Sequence, residues 1–107
     1  MPSSVAHQLK QDDLGVLKVC LRDVAGYWIA IADQLGMTSQ VHNIETSPRN
    51  KEPADFLRDL LNCWLCQEHP SPTLESLCHG LREDTSIIGG NRVAECLEQR
   101  FRTRRGV

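Results

Sequence analysis

The sequence predicts an all-α fold, a bundle of six short helices, on three observations. Apolar residues recur at spacings of three, four and seven, the pattern of a chain advancing about 100° per residue. No stretch alternates between apolar and polar residues as a half-buried strand would. Finally, Gly26, Gly36, Pro48, Pro53, Pro70, Pro72 and Gly89-Gly90 cut the 107 residues into helix-sized pieces.

Residues 1–11 are polar with little pattern and are expected to form a flexible arm. The first helix is expected from Asp13 to Val24, with Leu14, Leu17, Leu21 and Val24 in one stripe, Cys20 beside it, a cap at Asp12 or Asp13, and Gly26 ending it. Trp28, Ile31, Ala32 and Leu35 form the stripe of a second helix that stops at Gly36. Thr38 is the expected N-cap of a third, carrying Val41 and Ile44 inward and closing before Ser47-Pro48, because a residue preceding Pro avoids helical backbone.

The fourth helix is expected to begin at Pro53, where the missing N–H is harmless, and to bury Phe56, Leu57, Leu60, Leu61 and Trp64. Ser71-Pro72 reads as a cap and first-turn Pro for a fifth helix lined by Leu74, Leu77, Cys78 and Leu81. The sixth starts near Asn91 and turns Val93, Ala94, Leu97 and Phe101 inward. Trp28 and Trp64 both lie on apolar stripes, which assigns them to the core rather than to recognition.

Composition fits one domain, expected over residues 12–101 with a basic tail at 102–107. Apolar residues make up 40% and charged residues 24%, ordinary values for a chain that folds alone. A net charge of −2 offers no overall attraction to nucleic acid or anionic lipid. Five cysteines, an odd number with no hydrophobic leader before them, are expected to be reduced thiols in the cytoplasm. No apolar run reaches the roughly 18–20 residues of a membrane span.

The order of the blocks narrows the fold. An apolar first helix is followed by Gly26-Tyr27-Trp28-Ile29-Ala30-Ile31-Ala32-Asp33-Gln34-Leu35-Gly36, then Val41-His42-Asn43-Ile44-Glu45 and Ser47-Pro48-Arg49-Asn50. Leu60-Leu61-Asn62-Cys63-Trp64 and Thr73-Leu74-Glu75-Ser76-Leu77-Cys78-His79-Gly80-Leu81-Arg82 complete the series. Over residues 9–101 this resembles the death domain family of the death-fold superfamily, and the surroundings of Asp13-Leu14 and Pro48-Arg49-Asn50 are somewhat adaptor-like. The resemblance implies a six-helix antiparallel Greek-key bundle that binds other death-domain proteins, receptor or adaptor. It further implies homo-oligomers and signalling scaffolds in apoptosis or innate immunity.

The resemblance also points to surface residues. Where family members usually carry a polar residue after the first Trp, this chain has Ile29, off the apolar stripe. Burial against the amino-terminal arm and a place in an interface are both open for it. Asp33 and Glu45 fall outside the stripes of the second and third helices, Arg22 and Arg58 outside those of the first and fourth. The implied contact joins a second-and-third-helix face of one copy to a first-and-fourth-helix face of another, with opposite charges steering the encounter.

Other chemistries have weaker support. Cys63-Trp64-Leu65-Cys66, His69 and Cys78-His79 supply soft ligands but lack the paired knuckles of a zinc signature, so neither a metal nor another cofactor is expected. No βαβ context makes the Cys-x-x-Cys a thioredoxin-like pair. Cys78 with His42 or His79 has no orienting third group and no Gly-rich oxyanion loop, and Gly89-Gly90 is no phosphate loop, so the chain is not expected to be an enzyme.

Arg100-Phe101-Arg102-Thr103-Arg104-Arg105 suggests a helical nucleic-acid-binding module as the alternative function. A solvated helix end, with cations near its negative dipole, is the simpler reading. Titration of duplex DNA separates the two: the interaction reading predicts no binding near physiological salt, whereas nanomolar, steeply salt-dependent binding would support the alternative.

Overall fold

Six α-helices and two 3-10 segments make up the regular structure of the computed structural model, which describes residues 8–67 and 72–106, the last few by backbone alone. The helices are α1 (Leu14–Leu21), α2 (Trp28–Gln34), α3 (Thr38–Glu45), α4 (Pro53–Leu65), α5 (Leu74–Glu83) and α6 (Gly90–Gly106). A 3-10 turn, Gln11–Asp13, leads into α1, and a second, Arg22–Tyr27, joins α1 to α2. The expected all-α class holds, and no strand occurs among the described residues beyond an isolated bridge between Gln8 and Thr73.

The stripes become one core. Leu17 and Leu21 of α1 meet Leu57, Leu60, Leu61 and Trp64 of α4, with Leu77 and Leu81 of α5 and Val93, Leu97 and Phe101 of α6 completing it. Helix α1 seats against α4 and α6, while α2 rests on α3, α4 and α5, and α5 runs along α6. Chain neighbours are therefore interleaved with distant helices, as the Greek-key order requires. Both tryptophans are buried. Trp28 stacks on Phe56 with ring centroids 5.0 Å apart and planes 6° from parallel, fastening α2 to α4.

Several boundaries differ from expectation. Residues 1–7 of the expected arm lie outside the described residues, but Leu9 is buried and its N–H donates to the Pro72 carbonyl at 2.9 Å. Asp13 Oδ2 accepts from the Lys10 N–H at 2.9 Å, capping the 3-10 turn ahead of α1. Gly26 does not stop a helix in left-handed backbone. It sits within the second 3-10 segment, and the positive φ values fall at Gly36 (72°) and Gly89 (87°).

Thr38 is the first helical residue rather than the cap, and its hydroxyl donates to Asp33 Oδ1 at 3.1 Å. Helix α5 is capped by Thr73, whose hydroxyl oxygen accepts from the Ser76 N–H at 3.1 Å, which leaves Pro72 ahead of the helix; Ser71 lies outside the described residues. Asp55 takes the N–H groups of Lys51 and Glu52, each at 3.2 Å, and these bonds lower its carboxyl pKa.

Two glycines set helix spacing. A Cβ on Gly80 would lie 2.8 Å from the Cβ of Gln34, so α5 approaches α2 more closely than a side chain permits. A Cβ on Gly90 would run into the Leu81 carbonyl oxygen, backbone that cannot swing aside. Gly90→Ala is expected to lower stability by about 1–3 kcal/mol through overpacking. Gly26, with open space around its Cα and no positive φ, should accept Ala with a gain of up to ~1 kcal/mol. Urea unfolding of the two variants measures the contrast.

Candidate protein-interaction site

Helix α2 turns Trp28, Ile31 and Ala32 into the core, which leaves the opposite side to solvent. Ile29 is 48% exposed there, so its expected position off the stripe is realised. Asp33 stands one turn further along, four residues on, and is exposed as well. The pair forms a short apolar-then-acidic strip. Glu45, also exposed, is the last residue of α3. Because Thr38 at the other end of α3 holds the Asp33 carboxylate, the two acids mark opposite ends of that helix, about 10 Å apart along its axis at 1.5 Å per residue.

On another side of the bundle Arg22 is exposed at the start of the second 3-10 segment. It borders an open groove of about 250 Å³ shared with Lys18, Val19, Ala25, Ala54 and Leu57. Val19 is 58% exposed at its rim. The helical wheel that singled out Ile29 also puts Val19 off the α1 stripe, so the signal for it was present. Ala54 lies one turn before Arg58 on α4.

Arg58 is not free in the way its wheel position suggests. Its guanidinium lies 3.7 Å from both Asp55 and Asp59 and donates a 3.5 Å hydrogen bond to Asn50 Oδ1. The more exposed cation is Arg49, whose side chain is 70% accessible while its Nη2 donates to both Asp59 oxygens at 3.1 and 3.2 Å.

Asp59 is the residue that sequence reasoning missed. It is buried on α4 with a carboxylate that must be satisfied. Arg49 supplies two of its bonds and Asn50 Nδ2 a third at 2.8 Å. Asn50, itself buried, also donates to the Ile44 carbonyl at 3.1 Å, in the last turn of α3. The cluster thereby ties the end of α3, the connecting loop and α4 into one corner, next to Glu45. Only the Pro48-Arg49-Asn50 segment hinted at it.

The cysteines are free thiols. Cys63 is half-buried, and its thiol pKa is raised first by burial and then by the nearby Asp59 carboxylate. Cys66 is exposed, and its sulfur accepts from Gln11 Nε2 at 3.1 Å. Cys78 is buried as expected, with its thiol pushed up to about 11, chiefly by burial. His69 lies outside the described residues, as do the side chains of Arg104 and Arg105; the α6 backbone stays helical to Gly106. No helix among the described residues is long and apolar enough to cross a membrane.

Comparison with known proteins finds that the model of a family described as Death domain matches residues 15–99. No curated protein and no solved structure matches the chain. The matched span runs from α1 into α6 and contains the whole Asp59 corner. Asp59→Ala is expected to cost about 1–3 kcal/mol, because it strips the buried Asn50 amide of its shortest bond. Arg49→Ala, removing a largely solvated partner, should cost under about 1 kcal/mol. Thermal or denaturant melts of the two variants give the comparison.

Proposed function

The chain belongs to the death domain family, and from that premise we propose that it binds other death domains homotypically, as an adaptor-like component of cytoplasmic signalling scaffolds in apoptosis or innate immunity. At the coarser level it is a protein-interaction module of signalling. The observation that carries the finer reading is the pairing of two unlike surfaces on one bundle. One bears Ile29 and Asp33 a turn apart on α2, with Glu45 at the end of α3; the other bears Arg22 and Lys18 around an apolar groove that reaches Ala54 on α4, one turn from Arg58.

A surface of one kind on one molecule fits a surface of the other kind on the next, so the contact is head-to-tail rather than self-complementary. Head-to-tail contacts propagate into rings or helical assemblies. Ile29 supplies apolar area that the groove beside Val19, Ala25 and Leu57 is suited to receive. The acids and Arg22 steer the approach and set register. Arg58, held in the Asp59 corner, acts mainly by fixing the edge of the basic surface.

Light scattering and titration against a panel of death domains, over a salt series, test this. Ile29→Arg is expected to weaken association by about tenfold or more with the melting temperature nearly unchanged; an equal loss of stability would assign Ile29 to packing instead. Arg22→Glu and Asp33→Lys should each weaken binding at low salt, with the deficit shrinking as salt rises, and mixing the two variants should restore part of it. Association that is unaltered and insensitive to salt would remove the charge-steered contact.

A further inference from the structure

Cys20 on α1 and Cys96 on α6 bring their sulfurs to 3.4 Å across a sequence separation of 76 residues. That is a contact between thiols, and a disulfide of about 2.05 Å needs the sulfurs to approach by a further ~1.4 Å across two helices already packed together. The pair closest in sequence, Cys63 and Cys66, lies at the end of α4, with Cys66 as its C-cap. Cys20 is buried and Cys96 half-buried. A groove of about 260 Å³ is lined by both cysteines and bordered by Val19, Asp23, Ile88, Arg92 and Arg100.

We propose that Cys20 and Cys96 form a dithiol oxidation site, at which a peroxide-class oxidant reaching the groove converts the two thiols to a disulfide that ties α1 to α6. Cys96, the more accessible sulfur, reacts first. Its thiolate attacks one peroxide oxygen, the O–O bond breaks, and hydroxide leaves to collect the thiol proton as water, giving Cys96 sulfenic acid. The Cys20 sulfur then displaces the sulfenic hydroxyl, which departs as a second water with the Cys20 proton. Two thiols and one hydrogen peroxide thus yield one disulfide and two waters.

Burial divides the roles in the same sense. It is the largest cause pushing the Cys20 thiol up to about 12, followed by the hydrogen bond and charge of Cys96, while Arg100 pulls the other way. Cys20, the deeper of the two, is placed to resolve the intermediate, giving up its proton as its sulfur attacks Cys96. The resulting bond would close most of the chain into one loop, and exposed Val19, next to Cys20 in sequence, lines both this groove and the one that Arg22 borders.

The test oxidises the fully reduced chain with hydrogen peroxide, blocks remaining thiols by alkylation, and maps the peptides. The expected result is a Cys20–Cys96 crosslinked peptide, loss of two hydrogens from the intact mass, and a melting temperature higher by about 10 °C, all reversed by dithiothreitol. A Cys63→Ser/Cys66→Ser variant should retain the crosslink and Cys96→Ala should lose it. Mapping of the unsubstituted chain decides the matter independently of how any variant folds: Cys20 recovered as an alkylated thiol, or Cys96 found only as sulfinic acid or joined to another cysteine, overturns the proposal.

Discussion

Apart from α6, with 17 residues, the helices run from 7 to 13 residues. At that length a helix in water is marginal, because the first turn costs more conformational entropy than its hydrogen bonds return. Each therefore exists because its apolar stripe is buried by the others, and no helix can be removed without exposing the stripe it covers. Interleaving strengthens the dependence. Helix α1 needs α4 and α6, which come much later in the chain, and α2 is held to α4 by the Trp28–Phe56 stack. The core consequently forms as one cooperative unit rather than as separable hairpins.

A core built under that constraint leaves little freedom at the corners, where polar groups are drawn in with the backbone. The α3–α4 corner resolves this by bringing its own partners: Asp59 buries a carboxylate, and Arg49, Asn50 and Arg58 approach it from one side. Among the described residues no buried side-chain polar atom is left without a partner. The opposite demand operates where α5 turns into α6. There glycine, lacking a Cβ, lets Gly90 sit against the Leu81 carbonyl, and the preceding Gly89 takes up left-handed backbone. Polar satisfaction shapes one corner and steric clearance the other.

What the sequence made legible follows the same division. Stripes such as Leu57, Leu60, Leu61 and Trp64 are periodic, and periodicity is a property of the chain alone, so the helices and their buried faces were readable. The exposed positions of Ile29, Asp33 and Glu45 were readable for the same reason. Caps were less so: Ser71 and Thr73 are both good cap residues, and which one is used depends on where Pro72 meets Leu9, a contact between distant segments. Asp59 was invisible because burial of a charge depends on three partners that no pattern on α4 announces. The partners of Arg58 were hidden on the same account, since a wheel shows direction but not what waits there. The proximity of Cys20 and Cys96 belongs to this class too.

The bond from Asn50 to the Ile44 carbonyl has a further consequence for recognition. A helix end that frays must be ordered when a partner arrives, and that ordering subtracts from affinity. The last turn of α3 is already held from the loop behind it, so Glu45 presents its carboxylate from a backbone with little entropy left to lose. In the proposed contact, selectivity among partners at this end of the bundle would then rest on complementarity of shape and charge, since a fixed template discriminates between similar surfaces more sharply than one that can rearrange to suit each of them.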